Sequence, residues 1–154
     1  MKMKILAAAA LLVFSLSGCG SKLEVRDRAF VQSAGIEYED EQYEICLKLF
    51  EDSKYYNGRG NTFREAVNDA EKMQGKDFFT GHMEIVSVRD EEKMPLLESL
   101  VNENVSSGCL VVLRDDPVNY ISRNEPEKIK GMISTAERNG TAEKVNICDV
   151  INSG

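Results

Sequence analysis

The chain has 154 residues, with 19 Lys and Arg against 26 Asp and Glu, a net charge of −7 and a single His. This acidic balance repels phosphate backbones and anionic headgroups, which argues against nucleic-acid binding and against a basic patch that hugs a membrane. The length suits one domain with a real core and is short for two.

Met1 to Lys4 carries two lysines, and Ile5 to Leu16 is an unbroken run of apolar or small residues, the layout of a secretory signal. The run is shorter than the roughly 20 apolar residues that span a bilayer. It closes on Leu16-Ser17-Gly18-Cys19, which resembles the bacterial lipobox. That resemblance implies cleavage before Cys19, a diacylglycerol on its thiol and an N-acyl group. Two acyl chains anchor stably, at roughly 0.8 kcal/mol per buried methylene, where one chain is marginal. Residues 1–18 are therefore expected to be a lipoprotein signal, 19–28 a lipidated tether and 29–154 the domain. Removing 1–18 takes away two lysines and no acid, leaving 17 basic against 26 acidic residues and a net charge of −9.

Ala29 to Tyr38 and Gln42 to Glu51 are β-prone runs joined by Glu39-Asp40-Glu41, a connector of hairpin length. In the second run Tyr43, Ile45, Leu47 and Leu49 alternate with Glu44, Cys46, Lys48 and Phe50, which predicts a half-buried antiparallel strand. Asp52 to Asn61, rich in glycine and polar residues, reads as an exposed loop. Its Tyr55, Tyr56 and Asn57 mark a candidate contact surface, or fold back over the sheet edge.

Thr62-Phe63-Arg64-Glu65 has the form of a capping box, and Phe63, Ala66, Val67, Ala70 and Met73 repeat at helical spacing up to a stop at Gly75. Met83 to Val88 predicts a third strand. Lys93 to Val105 predicts a second helix with Met94, Leu97, Leu100, Val101 and Val105 inward. Cys109 to Leu113 is the most continuously apolar run, the pattern of a central strand covered on both faces. Asn124-Glu125-Pro126-Glu127 opens a third helix that runs to Asn139-Gly140, and Val145 to Ile151 offers a last short one. The order β-β-α-β-α-β-α defines an α+β domain on a mixed sheet of about four strands covered by helices.

Beyond Cys19 stand Cys46, Cys109 and Cys148, an odd number without CxxC spacing. Cys46 and Cys109 lie in apolar strands and read as buried thiols, with a nucleophile or one disulfide left as alternatives. His82, the lone histidine, has no partner set for a metal, and no serine lies in a nucleophile motif. It reads as a polar residue that fixes the strand entrance through a hydrogen bond. Gly58-Arg59-Gly60 is not a phosphate loop, and Glu37 to Glu41 lacks calcium-loop spacing. No catalytic, metal or cofactor residue is assigned. Gly81 and His82 join Tyr55, Tyr56 and Asn57 as candidate interaction residues.

Several weak motifs in order carry a family resemblance. The lipobox, Arg26 to Glu37, the Gly-rich stretch before Thr62-Phe63, Phe79-Thr80-Gly81-His82-Met83-Glu84-Ile85-Val86, Cys109 to Leu113, and Pro126 to Ile129 with Asn146 to Ile151 are together similar to the N-terminal domain of the spore germination receptor C-subunit lipoproteins, the Ger(x)C family. Family members normally carry Trp-Asp directly after the lipidated cysteine, where this chain has Gly20-Ser21, and continue into two further domains. The resemblance implies a non-enzymatic lipoprotein on the extracytoplasmic face of the cell or inner spore membrane. It implies integral-membrane receptor subunits as partners in the response to nutrient germinants. A small-ligand-binding or envelope-modulating lipoprotein outside germination is the alternative reading.

Overall fold

The computed structural model describes residues 28–143 and 145–153. The signal, Cys19 and the tether up to residue 27 lie outside them. The elements run β1 (Arg28–Glu39), β2 (Gln42–Leu49), β3 (Tyr55–Gly60), α1 (Phe63–Gln74), β4 (Asp77–Phe79), β5 (Ile85–Val88), α2 (Lys93–Asn102), β6 (Leu110–Leu113), α3 (Pro117–Arg123), α4 (Pro126–Arg138) and α5 (Ile147–Ser153). The fold is α+β on a mixed sheet, as the sequence predicts, but with six strands rather than four.

The sheet order is β3-β2-β1-β5-β6, and β4 pairs in parallel with the start of β1. β1, β2 and β3 form an antiparallel meander, whereas β1–β5 and β5–β6 are parallel. The sheet therefore has an entry end, where β1, β5 and β6 begin, and a turn end, where they finish. Asp40 and Glu41 make the β1–β2 turn with φ of 51° and 62°, the sign that a two-residue type I′ hairpin demands at both positions.

Alternation along the strands builds two cores. Ile36, Ile45, Leu47, Val86 and Val88 face a layer formed by α1, α2 and α5, and pack with Val67, Leu97, Leu100 and Ile147. Cys46, Ile85 and Val112 face α3 and α4, and pack with Ile121 and Ile129. The second face of β2 is thus covered, not solvated: Cys46 is fully buried and Lys48 is 5% exposed. β2 reads as half-buried because Glu44 and Lys48 look like solvent residues in the sequence; Glu44 keeps 42% of its side chain exposed, whereas Lys48 is covered.

Several expectations change. The expected exposed loop at residues 52–61 contains β3. Gly58 reads as loop, yet a Cβ there would fall 2.0 Å from the Ala66 carbonyl oxygen, so glycine lets α1 lie directly on the strand. The central strands are β1 and β5, with all four residues of β5 buried. β6 lies at the other side of the sheet, and Leu113 is 38% exposed. Part of its outer edge is closed by Val145–Ile147, through Val111 N–H to the Val145 carbonyl and Ile147 N–H to the Cys109 carbonyl. Its continuous apolar run serves that cover and not a further strand. α2 stops at Asn102, with Leu96 buried in the inward row and Val101 turned outward. β4 and α3 are additions, in segments where the sequence pattern predicts no element.

The predicted start and stop of α1 are present. Thr62 Oγ1 accepts from Glu65 N–H at 3.1 Å, and Gly75 ends the helix at φ 78°. The return half of the capping box is displaced by one residue, with Glu65 accepting from Asn61 N–H rather than from Thr62.

Candidate functional site

The candidate residues fall in two places. Tyr55, Tyr56 and Asn57 lie on β3 at one edge of the sheet, while Gly81 and His82 precede β5, with β2 and β1 between the two groups.

Alternation on β3 gives the two tyrosines different roles. Tyr56 points into the α1 side, is 6% exposed and meets Phe78 edge-on at 5.5 Å, and its hydroxyl donates to Asp52. It is core, which corrects its placement in an exposed loop. Tyr55 lies on the other face beneath Lys48 Nζ, 4.8 Å from its ring centre. Its hydroxyl donates to Glu125 at 3.3 Å, and Lys48 pairs with the same carboxylate group at 3.4 Å. Burial, and then the charge of Glu125, push the Tyr55 phenol up to about 12. Tyr55 and Lys48 thus hold the start of α4 against β2 and β3. Asn57 is exposed on the edge strand.

At the entry end, His82 is exposed and packs its ring against Phe79 at 5.2 Å and Phe30 at 6.0 Å, and these two meet edge-on at 5.6 Å. The hydrogen bond expected of His82 at the strand entrance is made by backbone instead, from Met83 N–H to the Thr80 carbonyl. His82 and Glu84 separate two open depressions of about 630 Å³ and 460 Å³. The larger is bordered by Arg28, Phe30, Phe50 and Lys76. Beside the smaller, Glu84 accepts from Gln32 and Lys130 at 3.0 Å each, and Glu127 accepts from the same two donors. Phe30, Phe50, Arg28 and Lys76 were missed by the sequence reading because four separate segments supply this end. The parallel pairing of β4 with β1 is what gathers them, and no local spacing encodes it.

The turn end is acidic. Arg89 pairs there with Glu37, Glu39 and Glu92, and also donates to the Asp115 carbonyl. Burial is the largest influence on Glu37 and raises its pKa; Arg89 opposes it, and Asp116 and Glu39 add to it.

Burial pushes the thiols of Cys46 and Cys109 up to about 12. Both are therefore protonated at neutral pH and lack the thiolate that nucleophilic or metal chemistry needs. Cys46, Cys109 and the exposed Cys148 are free. Among the described residues no three His, Cys, Asp or Glu side chains converge as metal ligands, and no helix is long and apolar enough to cross a membrane.

By fold the protein is a small α+β domain whose polar side chains are spread over the two ends and one edge of a sheet rather than gathered in one cleft. The family model described as the spore germination protein N-terminal domain matches residues 21–153, and the chain belongs to that family. This ties it to spore germination. Comparisons with curated proteins and with solved structures found no match.

Proposed function

We propose that the protein is a lipid-anchored, non-enzymatic interaction subunit of a germinant receptor. The family match over 21–153, directly downstream of Leu16-Ser17-Gly18-Cys19, carries this reading. Cys19 bears the diacylglycerol and N-acyl lipid and holds the domain on the extracytoplasmic face of the cell or inner spore membrane. Its partners are integral-membrane receptor subunits, met through the edge strand at Tyr55 and Asn57 or through Gly81 and His82. An edge strand offers unpaired N–H and C=O groups to a partner, and surface residues on a rigid scaffold are where recognition concentrates. The protonated thiols of Cys46 and Cys109 fit a role without covalent chemistry.

The test is crosslinking and co-purification from sporulating cells, with a deletion strain scored for germination on nutrients and for receptor-independent germination. Recovery of a membrane subunit and loss of the nutrient response alone support the proposal. Unchanged germination with no membrane partner recovered overturns it in favour of the small-ligand-binding alternative. In the same cells, Cys19→Ala is expected to abolish acyl labelling; normal labelling removes the anchor.

A further inference from the structure

We infer that the entry end of the sheet is a bilayer-facing surface, and that the domain stands on the membrane with its acidic turn end outward. The inference rests on acylation at Cys19. Nine residue steps separate Cys19 from Arg28, the first residue of β1. Even fully extended they span about 30 Å, at roughly 3.3–3.6 Å per residue. β1 is 12 residues long, about 40 Å from the entry end to the turn end at roughly 3.4 Å per residue. A domain resting on its turn end would hold Arg28 about 40 Å above the surface, beyond what the tether spans. The entry end has no such conflict.

The side chains at the two ends agree with the geometry. Phe50 is 44% exposed, and beside it the half-buried Phe30 and Phe79 and the exposed His82 form an aromatic ledge. Aromatic rings of this kind are at home at the headgroup level, where an apolar body meets a wet boundary. Arg28 and Lys76 flank the ledge together with the acids Glu51, Asp52 and Glu84, so the charge there is mixed; the two long cationic side chains extend their heads toward lipid phosphates. The turn end carries the runs Glu37–Glu41, Asp90–Glu92 and Asp115–Asp116, nine carboxylates that outnumber the neighbouring cations Arg59, Arg89, Lys93 and Arg114. Anionic headgroups repel such a surface within a Debye length of about 8 Å. About 40 Å of sheet takes it well beyond that range.

The chain has no tryptophan, so single reporters are clean. Phe50→Trp and Tyr38→Trp, placed at the entry and turn ends, are made in the full lipidated protein and reconstituted into phosphatidylglycerol–phosphatidylethanolamine vesicles with brominated acyl chains. The expected result is loss of emission for Phe50→Trp and none for Tyr38→Trp. Hydrogen–deuterium exchange on the unsubstituted protein is expected to slow at residues 50–54 on vesicles and to stay unchanged at 38–44. Equal quenching at both ends, quenching at neither, or protection confined to 38–44 overturns the orientation. Mass spectrometry of Cys19 reports the anchor separately. If the thiol is unmodified the anchor fails, and the same two reporters, with the chain held at its N-terminus on a nickel-chelating lipid, still decide whether the entry end binds lipid.

Discussion

The carbonyl oxygen of Pro117 occupies the space beside Gly35 so closely that a Cβ on residue 35 would lie 2.2 Å from it. This contact presses the first turn of α3 onto the middle of β1. It also brings the Val118 amide within hydrogen-bonding reach of Glu37, two residues along the same face.

Gly35→Ala is therefore expected to lift α3 and cost about 1–3 kcal/mol, the usual range for overpacking a filled core. Gly131→Ala is the control. It lies in the interior of α4 with nothing within 4 Å of the added carbon, and is expected to stabilise by about 0.5–1 kcal/mol. Urea unfolding of the two variants measures both; opposite signs are the expected outcome.

Strand position predicts a second contrast. Val86 is fully buried in β5, between β1 and β6, whereas Leu113 is exposed at the end of β6. Val86→Asp buries an unpaired carboxylate at a cost of several kcal/mol against a total stability of about 5–15, and is expected to unfold the domain. Leu113→Asp is expected to shift stability by less than about 1 kcal/mol. Circular dichroism melts read the difference, and equal damage from both would place β6 in the interior.

The β1–β2 turn has no glycine although Asp40 and Glu41 both have positive φ. A left-handed residue with a side chain costs roughly 1–2 kcal/mol, less for Asp than for Glu. Glu41→Gly is expected to raise the melting temperature, and a fall would show that the Glu41 side chain makes a compensating contact.

Glu37 gives a pH dependence. Its folded-state pKa is raised above the ordinary 4.5, chiefly by burial, so the folded state binds its proton more tightly than the unfolded chain does. The contribution is favourable below the ordinary carboxylate range and is lost as pH rises through the raised value. The groups facing it are Arg89, which opposes the shift, Asp116 and Glu39, which add to it, and the Val118 amide, which donates to it. Relative to wild type, Glu37→Gln is expected to gain stability as pH climbs from about 4.5 toward neutrality, because the amide has no charge to desolvate. Parallel stability–pH curves for the two proteins would remove the carboxyl from that role.

Apart from α3, the helices were the legible part of the fold. Thr62, Gly75 and Pro126 mark their ends through local chemistry, and apolar spacing finds the inward row of α1 as far as Ala70 and that of α4 at Ile129 and Ile133, while Met73 and Met132 at the same spacing are exposed. The sheet was harder to read because burial on it depends on what lies across it. β3 hides behind two glycines that exist for the contact with α1. β5 carries Ser87 in a fully buried position, and β6 looks central because its edge is covered by a segment more than thirty residues on. At the candidate site, Gly81-His82 was visible as an interruption before a strand, but the rings around His82 come from β1 and β4 and become neighbours only through pairing. Tyr56 was indistinguishable from Tyr55 until the strand's alternation separated them.

The meander β1-β2-β3 and the helix laid on β3 join segments that are adjacent in the chain, whereas Ser33 must find Ile85 across about 50 intervening residues to make the parallel pair of β1 with β5. Short-range pairings close small loops quickly and long-range parallel ones close slowly. The N-terminal half is thus expected to form first and to offer β1 as a template, with the later strands and helices completing the domain by adding to an edge already in place.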